Sequence, residues 1–217
     1  AGVSALNRYS VMQAAQRLGY PALLGTMPMP SRPVRIALLA PHLDRAFITL
    51  VAETISTQAA KNPLVSSCRI IPIRSLSSED LQHAVDVLAD VEAVAVIAKD
   101  TPQNRGTING LVGAGVQVVT LATDLKGTTR AFYVGVDNHA AGRTAGRITR
   151  LLAAGKSGPV AVYAGSRAFR GHKQREDGFV NHLKADPNLL VLPTVETQED
   201  STAMQSTVTS QLRRTPN

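Results

Sequence analysis

Residues 34–40 read VRIALLA, and the reading of this stretch decides the fold. It is a continuous apolar run of strand length, too short to be a helix with a buried stripe. Because the apolar residues do not alternate with polar ones, both faces of the strand are expected to be covered. That is the condition of a parallel strand sandwiched between helices. Working outward, a helical segment follows at 44–60 (DRAFITLVAETISTQAA), then strand 68–73 (CRIIPI). The segment 77–90 (SSEDLQHAVDVLAD) carries a capping signal, Ser77/Ser78 followed by Glu79/Asp80. Strand 91–98 (VEAVAVIA), helix 101–115 and strand 116–122 (VQVVTLA) complete the series. Repeated strand–helix units of this size imply a doubly wound sheet with right-handed crossovers.

The rhythm breaks at 123–136 (TDLKGTTRAFYVGV), where no helix separates two apolar patches. It resumes with helix 137–155, Asp137 its N-cap and Gly155 its stop. Strand 159–165 (PVAVYAG), helix 168–186, strand 189–195 (LLVLPTV) and a last helix over 199–214 follow. The break reads as a crossing from one βα lobe into a second. Upstream, 7–20 (NRYSVMQAAQRLGY) follows a helical stripe, and 21–33, with four prolines and a glycine, reads as a linker. The expected division is therefore 1–20 a helical front end, 21–33 a hinge, 34–127 a first lobe and 128–217 a second.

Composition agrees with a packed α/β protein. Of 217 residues, 44% are hydrophobic and 18% charged, which excludes disorder by composition. No apolar run approaches the roughly 18–20 residues that span a bilayer, and the opening AGVSALNRYSVMQ lacks the order of a secretory signal. The single Cys68 excludes an internal disulfide and reads as a buried, inert thiol beside a strand. These features suggest a soluble cytoplasmic protein. The net charge of +7 is uneven: residues 1–35 hold Arg8, Arg17, Arg32 and Arg35 and no acid, whereas the other 182 residues carry 19 basic and 16 acidic groups. An acid-free front end suits a polyanion such as nucleic acid, or a solubilising tail.

Enzyme motifs fail. AAGKSG (153–158) has Arg150 where a phosphate loop needs its first glycine, and it lies after a helix, the reverse of the required order. LVGAGV (111–116) ends a helix instead of opening one. The five histidines have no ligand spacing, and no nucleophile elbow appears. Neither catalysis, a metal nor a cofactor is expected.

In doubly wound proteins ligands bind beyond the carboxyl ends of the strands. The residues there are Asp44, Arg45 and Phe47 after the first strand, and Lys99, Asp100, Thr101 and Gln103 after the third. The fourth is followed by Thr123, Asp124 and Lys126, and 159–165 by Ser166, Arg167, Phe169 and Arg170, with Arg175 beyond. Carboxylates, guanidiniums and an aromatic ring in combination bind polyhydroxylated molecules, and five cations (Arg45, Lys99, Arg167, Arg170, Arg175) suit an acidic or phosphorylated sugar. Each residue also has a plain structural reading. Asp44, Thr101 and Asp137 serve as helix caps, Phe47 as core, Arg167 and Arg170 as solvated loop charges, and Arg175 as a partner of a neighbouring acid.

The strings GVDNHAAGRTAGRITRLLAAG and PVAVYAGS, with a glycine-led loop ending R-E-D-G-F, resemble the effector-binding core of the lactose-repressor (LacI-type) regulators. That core is similar to periplasmic sugar-binding proteins. AGVS and VMQAAQRLGY resemble parts of the family's helix-turn-helix headpiece. The resemblance covers most of the chain and is strongest over 116–182. It implies a two-lobed α/β domain of the periplasmic-binding-protein type, closing on a small sugar-like effector between its lobes. It also implies a homodimer on operator DNA. Carried over by position, Arg175 matches the arginine that grips the effector, Asp44, Arg45 and Phe47 match the first-lobe loop, and Asp124 lies near a strand-end contact. Phe169 matches a second-lobe loop position; Asp100 and Arg167 join the set by their place after strands. Arg8, Arg17 and Arg32 would contact phosphates. Two departures stand against the resemblance: about twenty recognition-helix and loop residues that the family carries between AGVS and ALNRYS have no counterpart here, and the family continues beyond TPN. The expected function is a sugar-responsive DNA-binding regulator, the alternative a solute-binding component of a transporter.

Overall fold

The computed structural model describes residues 4–18, 32–41, 46–75, 77–197 and 200–214. They form two compact units. The first comprises 1–98, 102–121 and 127–133; the second comprises 99–101, 122–126 and 134–217. The segments after the third and fourth strands (99–101 and 122–126) belong to the second unit.

The first unit contains α1 (Ala5–Arg17), β1 (Val34–Pro41), α2 (Ala46–Lys61), β2 (Val65–Ile73), α3 (Ser78–Asp86), β3 (Ala93–Val96), α4 (Pro102–Gly113), β4 (Gln117–Leu121) and β5 (Phe132–Val134). The sheet order is β2-β1-β3-β4-β5. β1 pairs in parallel with β2 and β3, and β3 with β4, in the register Leu38↔Ile70, Leu38↔Ala95 and Val96↔Thr120. VRIALLA is thus an interior strand, and Leu38, Leu39 and Ala40 are fully buried. Leu38, Ala40, Ala52 and Ile97 form a core joined by Ile48, Ile55, Ile70 and Leu121. A fully buried leucine of this kind contributes about 1.5–3 kcal/mol by leaving water.

Two-sided burial fails at β2. It is the edge strand, so Ile71 and Ile73 are buried while Ser67, Arg69 and Pro72 are exposed. Cys68, on this strand, is half-buried, and burial raises its thiol pKa. β5 was not expected as a strand, because three residues are too few to show a pattern. Ser77 caps α3 as anticipated, its Oγ accepting from Asp80 N at 3.1 Å.

Among the described residues, the front end shows one helix. α1 packs on β2 with Tyr9 only 3% exposed, and among the described residues no second helix follows before β1. Most of the 21–33 linker lies outside the described residues. Its end is pinned: Arg32 Nη2 donates to Glu92 Oε1 at 2.7 Å, and Arg35 Nη2 donates to the same oxygen at 2.8 Å. The Arg35 amide reaches Glu92 Oε2 at 2.6 Å. These donors hold the Glu92 carboxyl down at about 2.

The second unit contains α5 (Asn138–Ala153), β6 (Gly158–Val160), β7 (Tyr163–Ala164), α6 (Arg170–Leu183), β8 (Leu189–Val191), β9 (Val195–Glu196) and α7 (Ser201–Arg214). Asp137 caps α5 by accepting from Ala140 N at 2.9 Å, a bond that also lowers its carboxyl pKa. Ala154 and Gly155, at φ 50° and 80°, end the helix. The two strands expected at 159–165 and 189–195 are each split. β6 pairs with β8 as Val160↔Val191, but β7 pairs with β9 as Tyr163↔Val195, so one extra residue lies on the β8–β9 side. That insertion holds Pro193, which has no amide hydrogen to donate to a ladder.

α5 and α6 cross at glycines. A Cβ on Gly142 would lie 2.0 Å from the Arg175 carbonyl oxygen, and one on Gly178 would lie 2.2 Å from that of His139. Only hydrogen at these positions lets the helix backbones touch.

Candidate ligand-binding site

Several strand-end segments converge in the second unit. Asp100 follows β3; its amide donates to the Ala168 carbonyl at 2.9 Å, and its nearly buried carboxylate lies 4.0 Å from Arg170 Nη1. Thr123 follows β4, and its buried Oγ1 accepts from the Gly171 amide at 3.0 Å. Ser166, 2% exposed, follows β7. Phe169 stands at the N-cap of α6 without making a side-chain cap bond, its ring tilted against His172 at 5.4 Å. These contacts fasten the first turn of α6 to the loops that follow β3 and β4.

One turn further along α6, Arg175 is exposed, yet its Nη2 donates to Asn138 Oδ1 at 2.6 Å. Asn138 is itself only 2% exposed and opens α5 directly after the Asp137 cap. Three neighbouring cations are matched by acids. Arg167 Nε lies 2.9 Å from Glu176 Oε2, and the Arg167 amide donates to Glu196 Oε2 at 2.9 Å. Glu176 also accepts from Thr194 Oγ1 at 2.7 Å. Lys173 pairs with Asp177. Arg170 faces Asp100. The partner shown for Arg175 is a neutral amide, so the guanidinium is held in place without being neutralised. A fixed fork of N–H donors can take two adjacent oxygens, as in vicinal hydroxyls or a carboxylate. Among the described residues, no group of three or more His, Cys, Asp or Glu side chains is arranged to hold a metal.

Residues 36–217 match the periplasmic binding protein domain family, most of the chain. The chain belongs to that family. No curated protein matches it. Among solved structures, an ABC transporter solute binding protein from Burkholderia graminis in complex with D-arabinose is similar at TM-score 0.79 and 21% identity. The match covers 88% of this chain and 65% of that one, so the chain spans slightly less than two thirds of that relative. The XylFII molecule is 26% identical at TM-score 0.74, with 87% of this chain and 68% of that one covered. GanP, a glucose-galactose binding protein from Geobacillus stearothermophilus, is 23% identical at TM-score 0.75, with 86% and 66% covered. The two-lobed α/β fold of periplasmic binding proteins, expected from the strand pattern and the resemblance, is thereby shown.

Within this periplasmic binding protein domain the expected site residues are placed as follows. Asp100, Arg167, Phe169 and Arg175 all lie in the second unit, around the start of α6, with Asp124 half-buried in the segment that holds Thr123. Phe169 is 7% exposed and packed on His172, so its ring is largely covered. Phe47 belongs to the first unit, 60% exposed on α2. Asp44 and Arg45 lie outside the described residues. Arg8 and Arg17 lie on α1, Arg17 exposed at its end, and Arg32 is paired with Glu92. Sequence reasoning missed Asn138, Thr123's bond to Gly171, and the acids Glu176 and Glu196. None of these had a local signal, since the burial of Asn138 and the partners of the two glutamates are set only by the fold.

Proposed function

We propose that this chain binds a small neutral sugar, with Arg175 gripping ligand hydroxyls and Asp100 supplying a carboxylate acceptor, in the manner of a solute-binding component of a transporter. The observation that carries the reading is the Arg175–Asn138 bond at 2.6 Å, which aims an exposed, uncompensated guanidinium. The similarity to solute-binding proteins, one of them described in complex with D-arabinose and another as a glucose-galactose binder, supports this order of preference over a regulator. The pairing of Arg167 with Glu176 and of Arg170 with Asp100 removes most of the reason to expect a phosphorylated ligand. In this reading the chain binds and releases its ligand chemically unchanged and needs no cofactor.

A thermal-shift panel of D-arabinose, D-glucose, D-galactose, a hexonic acid and a hexose phosphate tests it, because binding to the native state raises Tm. At least one neutral sugar is expected to register, and Arg175→Met to abolish the shift. No response from any sugar, or an unchanged response in the variant, refutes the reading.

A second reading, the DNA-binding regulator, rests on the acid-free first 35 residues. It carries operator DNA, a homodimer and a cytoplasmic location with it. Arg32 and Arg35 share the single Glu92 carboxylate, which offsets part of the positive charge of that stretch. If this reading holds, duplex DNA binds the chain with an affinity that falls steeply with salt; absence of such binding at low salt excludes it.

A further inference from the structure

We infer that Asn138 is a positioning residue that sets the direction in which Arg175 presents its guanidinium. The inference rests on the ligand-binding reading of Arg175 and names what makes that arginine competent.

The Asn138 amide is held on three sides. Its Oδ1 accepts from Arg175 Nη2 at 2.6 Å, and its Nδ2 donates to the Val136 carbonyl at 3.4 Å. Turning the amide over would set donor against donor and acceptor against acceptor, so its orientation is determined. The third side is Gly171: a Cβ there would lie 3.0 Å from Asn138 Nδ2, so only glycine fits without displacing the amide. Gly171 is anchored in turn, its amide donating to Thr123 Oγ1. A chain of contacts therefore runs from the segment after β4, through the first turn of α6, to the amide and out to the exposed arginine.

The choice of an amide has a chemical consequence. An arginine at the surface samples many rotamers, and a ligand must immobilise it on binding. A carboxylate at position 138 would immobilise it in advance but would also neutralise the charge offered to ligand oxygens. The carbonyl of an asparagine immobilises without neutralising.

The test uses the whole chain and two readouts. In nitrogen-15 NMR the Arg175 Nε–Hε signal, assigned by its loss in Arg175→Lys, is expected to report an ordered side chain in the wild type. It should remain ordered in Asn138→Asp and become mobile in Asn138→Ala. By calorimetry with whichever of D-arabinose, D-glucose or D-galactose binds most tightly, both Asn138 variants are expected to weaken affinity about tenfold or more. In the Arg175→Lys background, Asn138→Ala should cost less than about twofold further, since the two residues act as a unit. An Arg175 signal as ordered in Asn138→Ala as in the wild type overturns the inference, as does an equal loss of affinity in both backgrounds. If Asn138→Ala does not fold, Asn138→Asp decides: it must keep the arginine ordered yet lose affinity. Wild-type protein that binds none of the three sugars, or Arg175→Lys that binds as the wild type does, defeats the functional reading instead. The NMR comparison then still decides whether Asn138 orders the arginine.

Discussion

Substituting Gly142 by alanine tests the crossing on which the site is built. The added Cβ would stand 2.0 Å from the Arg175 carbonyl oxygen and 2.9 Å from both Arg175 C and Phe179 N, where ordinary contact begins near 3.4 Å. All three atoms are backbone, so no side chain can swing aside, and the helices must separate by roughly 1 Å or more. Overpacking of this kind costs about 3 kcal/mol, the upper end of its usual range, because rigid backbone lies on both sides. Alanine's better helix propensity returns about 1 kcal/mol, leaving a net loss of about 2 kcal/mol. Gly106 on α4 is the internal control, since a Cβ there meets nothing within 4 Å. Gly106→Ala is therefore expected to stabilise by about 0.5–1 kcal/mol. The two variants should differ by nearly 3 kcal/mol in urea unfolding followed by far-UV circular dichroism, with Gly142→Ala also losing several degrees in Tm. Because Arg175 sits at the contact, the same variant should weaken sugar binding. Equal stabilities for the two alanine variants would show that α5 and α6 do not approach this closely.

The Glu92 carboxyl, held at about 2 by Arg35 and Arg32 against an ordinary 4.5, is a source of acid sensitivity. A lowered folded-state pKa stabilises above the unfolded value, so the contribution is complete above pH 4.5 and is lost as pH falls toward 2. Glu92→Gln should flatten the acid limb of the stability–pH curve and cost about 1–2 kcal/mol at neutral pH, a figure reduced for the exposure of Arg32; an unchanged limb sinks the assignment. Thr123→Val removes the acceptor of the buried Gly171 amide and should destabilise by about 1–3 kcal/mol, with a loss of sugar affinity. Unaltered stability and binding in that variant would mean that the bond does not anchor α6.

The unequal legibility of the elements has a local cause. VRIALLA, VEAVAVIA and VQVVTLA lie in one sheet between helices, so their burial is written as continuous apolar runs. CRIIPI looks alike, yet it is the edge strand, and the sheet order that exposes Ser67 and Arg69 has no local signature. At 189–195 the apolar letters run across Pro193 without interruption, whereas the ladder does not, because a missing amide hydrogen breaks pairing but not hydrophobicity. At the front end, a helical stripe showed that α1 would form, but not that Tyr9 would be buried with α1 packed on β2.

Periodicity, caps and the order of apolar runs were enough to establish an α/β chain of two lobes and to nominate Asp100, Asp124, Arg167, Phe169 and Arg175, because such features act within a few residues of each other. Which arginines have their charge offset by an acid was settled by packing alone. Arg167 meets Glu176 and Glu196, Arg170 meets Asp100, Arg32 meets Glu92, and Arg175 meets an amide 37 residues away. Electrostatic pairing depends on distance in space, and only the close glycine crossing of α5 and α6 brings Asn138 to Arg175.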